Sequence, residues 1–287
     1  MLAMSFGETV LLGALAGSTI FLGLPFARLR LLGTKTRVGL AMFAVGVLAF
    51  LFVDVMSHGF EIVEDAVNAY KNGTHSFGHA VWLAALLGLG FAAGSAGLAV
   101  AEARLRPSPP PPIGGASSEL TAEDARALEE QAAAHARARA LRTGMTIAAA
   151  VGLHNFAEGL AIGVSASTGE ISLATVLIVG FALHNATEGF GIVGPLGSVQ
   201  PSWGWVIVAG LIGGGPTFLG SMVGYSVNSP TLELLFYAVS GGAILYVIGE
   251  VWNAMRRFGY RELGLWLLAL GFFVGIATDL IVAYGGG

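Results

Sequence analysis

Residues Gly144–Ala166 read GMTIAAAVGLHNFAEGLAIGVSA. The run is long enough to cross the hydrocarbon core of a bilayer, which takes about 20 residues of helix. Apart from Thr146, His154, Asn155, Glu158 and Ser165, every residue in it is apolar or glycine. An ionised group at the centre of a lipid-embedded helix costs about 2.5–3.5 kcal/mol or more. Glu158 therefore has to face other protein, and the helix that carries it has to belong to a bundle. This single stretch predicts an all-α, polytopic membrane fold.

The rest of the chain repeats the pattern. Spans are predicted at Thr9–Ala27, Val38–Gly59, Gly78–Ala101, Gly144–Ala166, Ile171–Val193, Trp205–Tyr225, Leu232–Met255 and Leu263–Tyr284, giving eight transmembrane helices. Only 11% of the 287 residues are charged and 55% are hydrophobic, where a soluble domain carries about 25% charge. The 43 glycines suit close helix contact in lipid. The absence of cysteine excludes disulfides, thiolate metal sites and thiol nucleophiles. A net charge of −4 gives no basic footprint for nucleic acid. No positive segment precedes the first apolar run, so that run is expected to be a retained span rather than a signal peptide.

Loop charge predicts orientation. Arg28, Arg30, Lys35 and Arg37 follow span one; Arg104, Arg106, Arg126, Arg137, Arg139 and Arg142 lie between spans three and four; Arg256, Arg257 and Arg261 lie between spans seven and eight. These loops share one side, predicted cytoplasmic, which places both termini on the other side. The expected location is the cell (inner) membrane. The segment after span two, with Glu61, Glu64, Asp65, Lys71 and His75, reads as an acidic outer loop, either a solvated loop or an attractor of cations. Residues 1–102 thus hold spans one to three, 103–143 form a Pro-rich and charged linker, and 144–287 hold spans four to eight. Within the linker, Pro107–Pro112 is stiff and extended, and a short surface helix capped near Ser118 is expected before Arg142.

The ionisable groups left inside the predicted spans are Asp54, His58, His154, Glu158, His184, Glu188, Glu250 and Asp279. Four of them form a repeat. Span four carries His154-Asn155-Phe156-Ala157-Glu158-Gly159, and thirty residues on, span five carries His184-Asn185-Ala186-Thr187-Glu188-Gly189. Positions i and i+4 share a helix face, so each histidine stands over its glutamate. Each asparagine lies about 100° around the helix. If the two helices face each other, two imidazoles and two carboxylates converge, with amide oxygens beside them. That donor set suits Zn, Fe, Ni and Cu through imidazole and admits Mn through carboxylate. The bland alternative is interhelical hydrogen-bonding glue; an identical motif on two consecutive spans argues against it.

The motif pair resembles that of the Zrt/Irt-like (ZIP) family of metal transporters, and within it the bacterial GufA-like branch. Eight spans, a long loop between spans three and four and non-cytoplasmic termini fit the same family over the whole chain. The resemblance implies inverted repeats, uptake of divalent metal toward the cytoplasm, with zinc the expected cargo and Fe, Mn and Cd the alternatives, and a homodimer. It also implies a two-metal centre. His154, Glu158, His184 and Glu188 match one position; Asn155, Asn185 and the shared glutamates match the second. The metal is then substrate, and no catalytic cofactor is implied. One departure stands out. The family often carries a glutamate beside a proline on span six, where this chain has Gly215-Pro216, so Gly215 is read as standing in the glutamate's place.

Other residues are read two ways. Asp54 and His58, an i,i+4 pair, are an entrance site or a structural pair; Glu250 is an exit-side acid or a snorkelling one; Asp279 meets the entrance or the headgroups. Met56, Met145 and Met222 are soft ligands or packing, and Trp203, Trp205, Trp252 and Trp266 include interfacial anchors. His75, His79 and His135 are assigned to loops or interfaces. No H-E-x-x-H, P-loop or dinucleotide fingerprint is present, so a metalloprotease and an ATP-driven pump are not expected. A metal-gated channel or sensor, and a metal-dependent intramembrane hydrolase, remain the rivals to a carrier.

Overall fold

The computed structural model describes residues 4–29, 33–105, 122–168, 180, 184–227 and 229–284. Among them there are helices and no strands. The chain starts in α1 (Phe6–Ser18), whose first turn is closed by a capping box between Ser5 and Glu8. It continues through α2 (Ile20–Gly23) into a 3-10 turn, Leu24–Arg28, that begins as Pro25 withdraws a backbone donor. α3 spans Thr34–Lys71. α4 (Phe77–Ala92) passes through a π-helical stretch, Ala93–Gly97, into α5 (Leu98–Leu105). α6 is Ala122–Thr168. Residues 184–193 are helical and are called α7. α8 (Trp203–Ser226), α9 (Pro230–Arg256) and α10 (Arg261–Tyr284) complete the bundle.

Seven helical stretches among the described residues are long and apolar enough to cross a membrane, and the chain is a multi-pass membrane protein. The eighth expected span, Ile171–Val193, falls largely outside the described residues; α7 is its described end. Two expectations are corrected. The charged part of the linker is no separate surface helix, because α6 runs without a break from Ala122 into span four. Ala, Glu and Arg are strong helix formers, and once the span is folded the helix propagates into them without a new nucleus. Similarly, Glu61, Glu64, Asp65 and Lys71 are not in a loop but on α3, whose 38 residues reach about 57 Å at 1.5 Å each, nearly twice the hydrocarbon thickness.

Small residues set the spacing of the inner helices. A Cβ at Gly159 or Gly163 of α6 would strike the carbonyl of Thr217 or Ser221 on α8, and one at Gly220 or Gly224 of α8 would strike that of Phe156 or Leu160 on α6. The pairing 159 with 217 and 163 with 221 makes α6 and α8 parallel. Gly13 and Gly17 of α1 meet Ser221 and Gly214 of α8 in the opposite sense, so α1 is antiparallel to both. Gly189 of α7 backs onto Gly23 at the end of α2. Backbones this close leave no room for lipid between them. On the other flank α3 lies between α9 and α10. Trp266, Phe273 and Ile281 of α10 are exposed, as a lipid-facing helix requires.

The arginines collect at one end. Arg28 donates to Pro201 O and sits over the Trp203 ring, 4.8 Å from its centroid. Arg37 donates to Gly197 O at 2.7 Å, and Arg137 of the α6 extension to Gln200 O at 2.9 Å. Trp203 and Trp266 are exposed, whereas Trp205 and Trp252 pack against the core. Met56 and Met145 also pack against apolar clusters.

Candidate metal centre

α6 and α7 bring the two motifs together. His154 Nε2 lies 3.2 Å from Glu158 Oε1 on its own helix and 3.6 Å from Glu188 Oε1 on the other. Neither contact has hydrogen-bond geometry, since His154 Nε2 and all four carboxylate oxygens of Glu158 and Glu188 lack a hydrogen-bond partner. His154 and Glu188 are each 1% exposed and Glu158 is 6% exposed. His184 is half-buried on α7 and interacts electrostatically with Glu158 and His154.

The asparagines are anchored on backbone. Asn155 Nδ2 donates to Gly213 O of α8 at 2.9 Å, and Asn185 Nδ2 to Ala16 O of α1 at 3.0 Å. A carbonyl only accepts, so each amide must give it the NH2 and turn its Oδ1 the other way. Both Oδ1 atoms are buried and unbonded. Leaving a buried polar atom unsatisfied costs about 1–3 kcal/mol. Several in one cluster amount to a sizeable part of a domain's net stability of about 5–15 kcal/mol. A polar set of this kind fits a cation that would use the free lone pairs.

Two further side chains belong to this region and were not singled out from sequence. Ser240 of α9 lies 3.0 Å from His154 Nδ1. A proton on Nδ1 given to Ser240 Oγ leaves the Nε2 lone pair directed at the carboxylates, which fixes the tautomer a metal ligand needs. Thr217 of α8 is fully buried with an unbonded Oγ1. A lone hydroxyl in an apolar span was the available signal for both; nothing in the spacing tied either to the motifs. Glu102 was missed as well, because span three was ended at Ala101. The helix continues, and Glu102 is 5% exposed and accepts a hydrogen bond from Tyr246 OH at 2.9 Å.

Among the described residues no group of three or more His, Asp or Glu side chains is drawn tightly enough to hold an ion as it stands. His154, Glu158 and Glu188 are nonetheless drawn within 4 Å of one another through His154 Nε2.

The pathway residues divide. Asp54 Oδ1 is 3.9 Å from His58 Nδ1, with both side chains partly exposed. Asp54 also interacts electrostatically with Asp279, His154 and Glu158, and Asp279 is exposed on α10. Glu250 is not gathered there. It lies ten residues beyond Ser240 on α9, about 15 Å along the axis toward the arginine-rich end.

Gly215 lies on an open face of α8. It lies on the same face of α8 as Val208, Leu211 and Leu219, all strongly exposed, and nothing is within 4 Å of a Cβ built on it. This face turns away from α6 and α1. A carboxylate there would point away from both, whereas Thr217 and Ser221 are the hydroxyl side chains that α8 buries beside α1 and α6.

No family model matches the chain. It is similar to the zinc transporter ZupT of Clostridium perfringens (strain 13 / Type A), with 27% identity over 147 residues. The match takes in 50% of this chain and 51% of that protein, so the chain spans about half the length of the curated relative it matches.

Proposed function

We propose that the chain is a ZIP-like carrier that moves divalent transition-metal ions, zinc foremost, across the cell membrane toward the cytoplasm. The observation that carries this reading is the meeting of the two motifs across helices, His154 Nε2 to Glu188 Oε1 at 3.6 Å, inside a buried cluster of unbonded donors. Likeness to a zinc transporter supports zinc as cargo. His154, Glu158, His184 and Glu188 would hold the ion, with Asn155 and Asn185 alongside. Two carboxylates neutralise its double charge, which lowers the cost of holding it within lipid.

Asp54, His58 and Asp279 would admit the ion from the outer side, and Glu250 would receive it toward the arginine-rich, cytoplasmic end. Eight spans in inverted repeats, non-cytoplasmic termini and a homodimer complete the proposal. Movement of the α6–α7 pair against the remaining helices would expose the ion to one side at a time. In sealed proteoliposomes, saturable Zn uptake should be lost in the double variant His154→Ala, His184→Ala while the protein still folds. Wild-type uptake by that variant would sink the reading. Currents far above carrier turnover would favour a channel instead, and chemical turnover without flux would favour a hydrolase.

A further inference from the structure

A cavity of about 140 Å³ opens where the start of α3, the end of α9 and the start of α10 meet. Its inner wall is apolar. Val38 and Met42 line it and are only 2% and 3% exposed, and Trp252 adds a partly buried aromatic ring. The rim is of another kind: Arg256, Tyr260 and Arg261 also line the cavity and all three are exposed. An apolar cavity of about 150 Å³ takes up a benzene-sized molecule, so this one accommodates a short stretch of hydrocarbon.

The rim charge is unspent. Arg28, Arg37 and Arg137, at the same end of the bundle, each donate to a backbone carbonyl of residues 197–201. Among the described residues, Arg256 and Arg261 have neither an ion pair nor a side-chain hydrogen bond. The turn between α9 and α10, with Gly259 at φ 79°, brings the last residue of one helix and the first of the next to the same rim. A cation at the end of α9 suits the helix dipole, but one at the first position of α10 opposes it. Glu262 does not relieve this: it does not line the cavity, and neighbours at i and i+1 do not face each other on a helix.

We propose that this cavity binds an anionic diacyl phospholipid, with its phosphate against Arg256 and Arg261 and the upper part of one acyl chain along Val38, Met42 and Trp252. Charge complementarity selects the headgroup. Guanidinium groups match phosphate oxygens through paired N–H donors, and the Tyr260 hydroxyl is a further donor at the rim. A choline headgroup carries its own cation to the same arginines and gains less. Position selects a lipid over a soluble phosphate, because the apolar wall runs from the arginine rim into the membrane-spanning part of α3. Basic pockets between transmembrane helices are suited to anionic headgroups in this way. The bound lipid ties α10 to α3 and α9. The inference is independent of the metal centre.

The test uses the full chain in detergent, titrated with dioleoylphosphatidylglycerol or dioleoylphosphatidylcholine and read by native mass spectrometry. The wild type should retain one phosphatidylglycerol per chain and hold it about tenfold more tightly than phosphatidylcholine. Arg256→Gln with Arg261→Gln should abolish that preference. Arg257→Gln removes the same charge from the same turn, but Arg257 does not line the cavity, so this variant should bind like the wild type. Val38→Phe fills the cavity and leaves the arginines in place; it should lose the lipid, and Met42→Phe serves if that variant does not fold. Excess glycerol 3-phosphate, which has the phosphate but no chain, should not displace the lipid. Equal retention of the two lipids by the wild type overturns the inference. So does a loss in Arg257→Gln as large as in the double variant, retention by the filled variants, or displacement by glycerol 3-phosphate.

Discussion

At the scale of single residues the centre depends on which nitrogen of His154 faces the carboxylates. His154 Nδ1 lies 3.0 Å from Ser240 Oγ, and a proton given to that oxygen would leave Nε2 free for an ion. Outer partners of this kind are worth about 10–100-fold in metal affinity. Ser240→Ala should therefore weaken Zn binding by that factor, read by titration calorimetry, with little change in melting temperature. An unchanged isotherm would mean that Nδ1 is held by something else. Acid should act on the same atoms. Imidazole and carboxylate bind a metal only when deprotonated, so protonating His154, His184, Glu158 or Glu188 competes with the ion. Zn affinity is expected to fall as pH is lowered and to be recovered on return to neutral pH. Affinity that rises on acidification would contradict the ligand assignment.

At the scale of helices, close backbone contact is the feature that side-chain chemistry relies on. Gly163→Val puts a branched side chain against Ser221 O and Tyr225 N on α8, where the neighbour is backbone and has nowhere to go. Overpacking of this sort costs about 1–3 kcal/mol; a clear drop in melting temperature is expected, with Zn uptake falling as α6 is pushed off α8. Gly249→Ala, where nothing lies within 4 Å, should change neither and serves as the control. Gly215→Glu probes a different point on α8. Directed outward, the carboxylate should fail to raise metal stoichiometry and should lower membrane yield, since a charge in lipid costs about 2.5–3.5 kcal/mol. A gain of one bound metal per chain would show that the outward placement is wrong. What the sequence made legible follows the same division. Helical spans and the inward faces of His154, Glu158 and Glu188 can be read from apolar length and i,i+4 spacing, because both are local properties of one helix. The rotation of α8 is not local. It is set by Gly159, Gly220 and Gly224 meeting carbonyls across the interface, and so the outward placement of Gly215 was not legible. Ser240 was illegible for the same reason: its partner is 86 residues away on another helix.

At the scale of the whole molecule, charge and shape argue for one orientation. Arg28, Arg37 and Arg137, far apart in sequence, all bond to carbonyls of residues 197–201, so the basic loops share one physical end of the bundle. The long α6 extension leaves from that end. The acidic overrun of α3, with Glu61, Glu64 and Asp65, leaves from the other. Under the positive-inside rule such a bundle would insert with the basic end toward the cytoplasm, as proposed, and its acidic end would then raise the local concentration of cations outside. The chain is suited to a direct test because it has no cysteine. Ala132, on the exposed α6 extension, and Thr74, in the exposed turn after α3, can each be replaced by cysteine with no background. In intact cells a membrane-impermeant maleimide should label Thr74→Cys and spare Ala132→Cys; after permeabilisation both should react. Labelling of Ala132→Cys from outside would invert the bundle, and with it the direction in which Asp54 and Glu250 are passed. Labelling of both from the same side would be incompatible with α3 and α6 leaving the membrane at opposite ends.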